Sequence, residues 1–301
     1  MARILIAGCG YLGTALAGRL VADGHAVFGL RRRPHALPTG VVPVAADLSE
    51  AAGLAAALAK AVPGGVDAVL YTAAADASDD GAYRRAYVDG LRHVLSWAGI
   101  GCPGPPRVVF TSSTAVYAQP DGSWVDEESA AEPTHFRGVR LLEAERALAA
   151  SGLPAVVVRL GGLYGPGRTG LVDRVREGRA SIHPGPPRWT NRIHRDDAAG
   201  AVRHLLGAAL RGVETAPLYL GVDDEPADEA DVLRWLAGRL GVAPPPLEAD
   251  GAAPSRVTSN KRCRNARLHA AGYGFRFPTF REGYADVIAD RADRRRTLTR
   301  R

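Results

Sequence analysis

Arg3-Ile4-Leu5-Ile6-Ala7-Gly8-Cys9-Gly10-Tyr11-Leu12-Gly13 decides the fold. Its first five residues read as a buried parallel strand, and the glycines lead directly into a segment of helical periodicity. In such a strand–turn–helix, Gly8 permits the tight turn, Gly10 lets the backbone approach a pyrophosphate, and Gly13 lets helix and strand pack closely. The phosphates then meet free amide N–H groups of the turn and helix start, so Gly8, Gly10, Tyr11, Leu12 and Gly13 are predicted cofactor residues. Leu12, Leu16 and Leu20 recur at helical spacing, Gly24 caps the end, and His25-Ala26-Val27-Phe28-Gly29-Leu30 reads as the next strand.

The second strand ends in an unexpected charge. An NAD site usually places Asp or Glu about 20 residues past the glycines, on the ribose 2′-OH. This chain has Arg31, then Arg32, Arg33 and Pro34. A carboxylate repels a 2′-phosphate, whereas a guanidinium holds one through charge-assisted bonds of roughly 1.5–3 kcal/mol each. Arg31 and Arg32 therefore predict NADP(H) in preference to NAD(H).

With 301 residues and 46% hydrophobic content, the chain can bury the core of a large α/β domain with a smaller lobe. The expectation is a cytoplasmic protein: no apolar run approaches a membrane span, and the first strand begins without a cleavable leader. The three cysteines, Cys9, Cys102 and Cys263, have no metal spacing and no even-numbered framework, so no metal is expected. Net charge is +6, but the end from Asp290 to Arg301 holds six arginines against two aspartates, which leaves +2 for the rest. That end reads as a solvated, disordered tail, and no nucleic-acid partner is expected.

Strands and helices alternate onward. Strand signals fall at Val41–Ala45, Asp67–Tyr71, Arg107–Phe110, Ala155–Arg159 and Pro217–Leu220. A helix over 79–99 puts Tyr83, Tyr87, Leu91, Val94, Leu95 and Ala98 on one face. Right-handed crossovers make this a Rossmann-type, doubly wound parallel α/β sheet with a smaller C-terminal substrate lobe. The predicted division is a cofactor domain over 1–165, returning around 190–222, a substrate lobe from 166–190 and 223–290, and the basic tail 291–301. Helices are predicted near 195–210, 227–240 and 279–290.

Several motifs now align. The glycine turn, Ala46-Asp47-Leu48, Tyr71-Thr72-Ala73-Ala74, Val88-Asp89-Gly90, Ser112-Ser113-Thr114-Ala115-Val116-Tyr117, Arg159, Tyr164-Gly165-Pro166-Gly167 and His194-Arg195-Asp196-Asp197 follow in order. The chain resembles an extended short-chain dehydrogenase/reductase of the NAD-dependent epimerase/dehydratase family along nearly its whole length. The resemblance implies that Asp47 and Leu48 lie near the adenine, that Ala73 and Ala74 line the cofactor channel, and that Ser113 occupies the catalytic Ser/Thr position.

It departs at the catalytic pair. Family members use a Tyr and, four residues later, a Lys that lowers the phenol's pKa and holds the nicotinamide ribose. Here those positions are Phe136 and Arg140, and neither lysine, Lys60 or Lys261, has a Tyr four residues before it. Phe136 exchanges no proton; Arg140 keeps a positive charge and can bind ribose hydroxyls. The chain is thus similar to an atypical branch without the YxxxK pair. Tyr87 stands for the family Asn before the Val-x-Gly turn, and Gly162 for the Asn that touches a nucleotide sugar.

Candidate replacements are Ser113, Tyr117 and His135, with Arg140 beside them; packing explains Tyr117 and helix capping explains His135 equally well. Tyr164, Asn191 and Arg192 are the candidate substrate contacts. Two main readings follow. One is an NADP(H)-dependent oxidoreductase or epimerase/dehydratase-like enzyme with a nonstandard proton donor and a small polar substrate. The other is a non-catalytic sensor of NADPH/NADP. A homodimer is left open.

Overall fold

The computed structural model describes residues 1–248 and 259–299, with side chains through Arg291. Seven strands form one sheet: β1 Arg3–Ala7, β2 Ala26–Arg31, β3 Val41–Ala45, β4 Ala68–Tyr71, β5 Arg107–Ser113, β6 Ala155–Leu160 and β7 Leu218–Gly221. They lie in the order β7-β6-β5-β4-β1-β2-β3, and every pairing is parallel. The direction of winding reverses between β1 and β4, where open α/β sheets bind their ligands.

Alternation along the strands divides the core in two. Leu5, Phe28, Leu30, Val69, Tyr71, Val108 and Phe110 face one side. There they meet Leu54 and Leu58 of α2 (Ala51–Ala61), Leu91 and Val94 of α4 (Gly90–Gly101), and Leu141 and Leu148 of α5 (Phe136–Ala150). Ile4, Ile6, Val27, Leu70, Val109, Val156 and Val158 face the other. They pack on Leu16 and Leu20 of α1 (Tyr11–Ala22), on Val202 and Leu205 of α7 (Arg195–Leu210) and, in the same cluster, on Leu268 of α9 (Ala266–Ala270). A strand covered on both faces has no polar side, which is why these runs read as continuously apolar.

A third apolar cluster joins Val172 and Val175 of α6 (Gly170–Arg176), Leu233 and Leu236 of α8 (Glu229–Leu240), and Phe280 and Tyr284 of α10 (Phe280–Thr299). The helix α10 takes in most of the stretch expected to be a disordered tail. Arg300 and Arg301, and residues 249–258 of the expected substrate lobe, lie outside the described residues.

The helix expected over 79–99 is interrupted. α3 (Asp80–Tyr83) passes into a π-helical segment, Arg84–Asp89, before α4. Close packing accompanies the change: the buried Tyr71 hydroxyl, at the end of β4, donates to Ala86 O at 2.5 Å. A Cβ on Gly90 would stand 2.6 Å from that same oxygen.

Candidate dinucleotide and substrate cleft

A cleft of about 880 Å³ crosses the carboxyl ends of β1, β2, β4, β5 and β6. Its floor is the glycine turn. The amides of Gly8 and Cys9 both donate to Leu30 O, at 3.1 and 2.8 Å, and tie the turn to β2. Gly8 has φ +87°, and a Cβ there would stand 2.3 Å from Ala73 Cα, so only glycine fits. At Gly13 a Cβ would stand 2.8 Å from Thr72 Oγ1 and 2.9 Å from Gly8 O. A Cβ on Gly10 would meet only Gly8 O, at 3.9 Å, so the space over this residue is open to a ligand. These three environments fit a pyrophosphate laid over the turn.

At one end of the cleft lie Arg31, Arg32 and Arg33 with Asp47, Leu48, Ser49, Asp76 and Arg85. Asp47 Oδ1 accepts from Ser49 N at 2.9 Å and Ser49 Oγ at 2.8 Å. Those bonds, with Arg32 and Arg85 nearby, hold the Asp47 carboxyl below the usual carboxylate range. Arg32 pairs with Asp76 at 3.0 Å, but both side chains are more than half exposed, so the pair contributes little and the guanidinium can turn to a stronger anion. Of the expected cofactor residues, Gly8, Gly10, Tyr11, Leu12, Arg31, Arg32, Asp47, Leu48, Ala73 and Ala74 line this cleft; Gly13 packs beneath it.

The other end is built differently. Ser113 lines the cleft and its Oγ accepts from Ala115 N at 3.2 Å, which leaves the hydroxyl proton to be donated. Tyr117 is fully buried behind the wall, where its hydroxyl donates to Asp126 O at 2.6 Å and accepts from Arg159 Nη1 at 2.7 Å. Burial pushes that phenol up to about 12. Arg159 in turn grips Glu145 at 3.0 and 2.7 Å, and Ser112 Oγ donates to the same carboxylate at 2.6 Å. Tyr117 therefore belongs to a buried brace and does not edge the cleft.

The remaining candidates are also engaged elsewhere. His135 caps α5 by accepting from Arg137 N at 3.3 Å, with its ring against Phe136. Arg140 forks onto both oxygens of Asp80 at 2.7 Å and reaches Glu143 at 2.8 Å. It is not part of the cleft wall. Tyr164 is buried in the third cluster, its ring 4.5 Å from that of Tyr284. Asn191 clips two backbones together, donating to Lys261 O at 2.9 Å and accepting from Cys263 N at 2.7 Å. Arg192 is buried and donates to Thr190 Oγ1, with its guanidinium 5.6 Å from the Phe280 ring. All three are internal contacts in this structure. Asp197, beside them, accepts from Arg276 N and Phe277 N at 2.8 Å and from the Tyr273 hydroxyl at 2.9 Å, a structural turn.

The cleft also holds residues that pattern reading missed. Tyr83, Arg85 and Tyr87 enter from the α3/π segment, and Arg168 from the loop after Tyr164. Arg168 lies 4.1 Å from the centre of the Tyr11 ring, with Arg195 at 5.3 Å. Helical periodicity places Tyr83 and Tyr87 on a packing face. A paired hydroxyl-bearing aromatic at i and i+4, just after the Ala73-Ala74 strand end, was the available signal.

A parallel sheet in this order, with a glycine elbow at its switch point, defines a dinucleotide-binding Rossmann protein. The chain belongs to the NAD-dependent epimerase/dehydratase family, whose model matches residues 4–208. Within that family it is an atypical extended short-chain dehydrogenase/reductase without the YxxxK pair. It is 32% identical to a 3-diazoavenalumate denitrifying reductase from Streptomyces over a 308-residue alignment covering 93% of this chain and 98% of that one. A 2-alkyl-3-oxoalkanoate reductase from Stenotrophomonas maltophilia (strain K279a) is 29% identical, covering 79% and 75%. A structure described as a putative NAD-dependent epimerase/dehydratase from Methylobacillus flagellatus superposes with a TM-score of 0.78 at 38% identity, covering 96% of this chain and 98% of that one.

Proposed function

We propose that this protein is an NADPH-dependent reductase of a small polar substrate, with its proton supplied by a group outside the YxxxK positions. One observation carries the cofactor choice: Arg31, Arg32 and Arg33 stand in the same cleft as the glycine turn, where a 2′-phosphate needs cations. The reductive direction rests on the names of the two relatives, both reductases. When bound, the cofactor supplies hydride. The glycine turn and arginines bind and orient it, and Ser113 Oγ offers its proton as a hydrogen bond to a substrate oxygen.

Calorimetric titration of the wild type and Arg31→Asp with NADPH and NADH tests this. The wild type binds NADPH at least tenfold more tightly, and Arg31→Asp loses about ten- to a hundredfold of NADPH affinity, in line with one lost charge-assisted bond. Equal wild-type affinities overturn the preference. A second reading, a sensor without turnover, is favoured by the engagement of Arg140 with Asp80 and Glu143. It expects the same titration but no NADPH oxidation with any carbonyl offered.

A further inference from the structure

The geometry points to Tyr83 as the proton donor of this cleft: the phenol has moved from α5, where the family pattern expects it, to the neighbouring α3. This inference rests on the reading above that the cleft holds NADPH and that the protein is a reductase. Tyr83 is half-buried and lines the cleft. Its ring meets the Phe136 ring edge-on, with centroids 5.3 Å apart. The hydroxyl missing at position 136 is thus carried by the ring in direct contact with that position.

The other phenols are otherwise placed. Tyr117 is bound within the brace behind the wall, and Tyr164 is buried in the third cluster. Tyr11 sits at the glycine turn beside Arg168 and Arg195, at the pyrophosphate position. Tyr87, one helical turn beyond Tyr83, has its phenol pushed up to about 12 by burial, which makes it a poor donor.

Two features around Tyr83 fit the role. The Arg137 guanidinium lies 6.0 Å from the centre of its ring, bonded to Ser78 Oγ. A guanidinium there packs over the ring and sets a positive charge beside the donor, the place that the family lysine takes beside its own tyrosine. The π segment begins at the next residue, Arg84, and local π geometry is frequent at functional sites. The proton balance is simple. A substrate carbonyl gains hydride on carbon and the Tyr83 Oη proton on oxygen, giving an alcohol and NADP⁺; water then reprotonates the phenolate.

Ultraviolet difference titration of tyrosinate, on protein saturated with NADP⁺, tests the assignment without a known substrate. With the oxidised cofactor bound, one tyrosine of the wild type ionises at a proton concentration about tenfold higher than in the free protein. That step disappears in Tyr83→Phe, which retains NADP⁺ affinity, and returns toward its cofactor-free position in Arg137→Gln. If both wild type and Tyr83→Phe bind NADP⁺ and their titrations coincide, Tyr83 is not the donor and the cofactor reading stands. An Arg137→Gln titration that matches the wild type removes the guanidinium from the assignment. If the wild type does not bind NADP⁺, the functional reading fails and the assignment with it.

Discussion

The two ends of the cleft have changed unequally. At the end proposed for the adenosine, the glycine turn, β2 and its arginines form a contiguous unit. A single added methyl at Gly8 would collide with the Ala73 backbone. At the other end, Phe136 and Arg140, the residues proposed for the family's reactive positions, are a phenyl ring and a guanidinium that is occupied by two carboxylates. The turn geometry is maintained by sterics that at Gly8 and Gly13 tolerate almost no substitution. Proton transfer needs only one acidic group in reach, so its position is freer to move.

This contrast can be broken or sharpened by mutation. The largest effect is expected for Gly8→Ala: with φ +87° and a 2.3 Å contact, NADPH affinity falls roughly a hundredfold, about 3 kcal/mol, by calorimetry. Retained affinity with a native circular-dichroism spectrum would show that the turn is not the phosphate site. Tyr117→Phe comes next. It leaves Arg159 and Asp126 O each short of a partner, so urea denaturation loses about 1–3 kcal/mol while NADPH affinity stays constant. A loss of turnover at unchanged stability would return Tyr117 to the chemistry. The smallest effect belongs to Arg140→Lys, which keeps charge but loses the fork on Asp80. Stability drops by less than about 1 kcal/mol and NADPH binding is unaffected. A tenfold loss of affinity there would mean that Arg140 leaves Asp80 for the cofactor, and the contrast between the two ends would fail.

The geometry of the glycine-turn end of the cleft was legible in the sequence because its parts are neighbours in the chain. Gly8 to Gly13 is one turn and the helix start that follows it, and Arg31 ends β2. Six of the sheet strands were legible because burial on both faces makes them unbroken apolar runs, and β3, mostly exposed at the sheet edge, from its β-branched valines. The substrate end was not, because its contacts span long separations. Arg140 reads as a free cation until Asp80, 60 residues earlier, folds against it. Tyr117 reads as a candidate acid until Arg159, 42 residues later, takes its oxygen. Tyr83 and Tyr87 match a helical packing stripe, and the π segment that alters the helix between and beyond them has no simple periodic signature.

The Arg140–Asp80 fork also joins α5 to the first residue of α3, three residues before Tyr83. Arg140, proposed to stand at the family's lysine position, thus serves as a strut beneath the helix that carries Tyr83. A search keyed to the linear YxxxK signature would set such a chain aside as inert. Screening for a hydroxylated ring touching the vacated position in space would keep it in view.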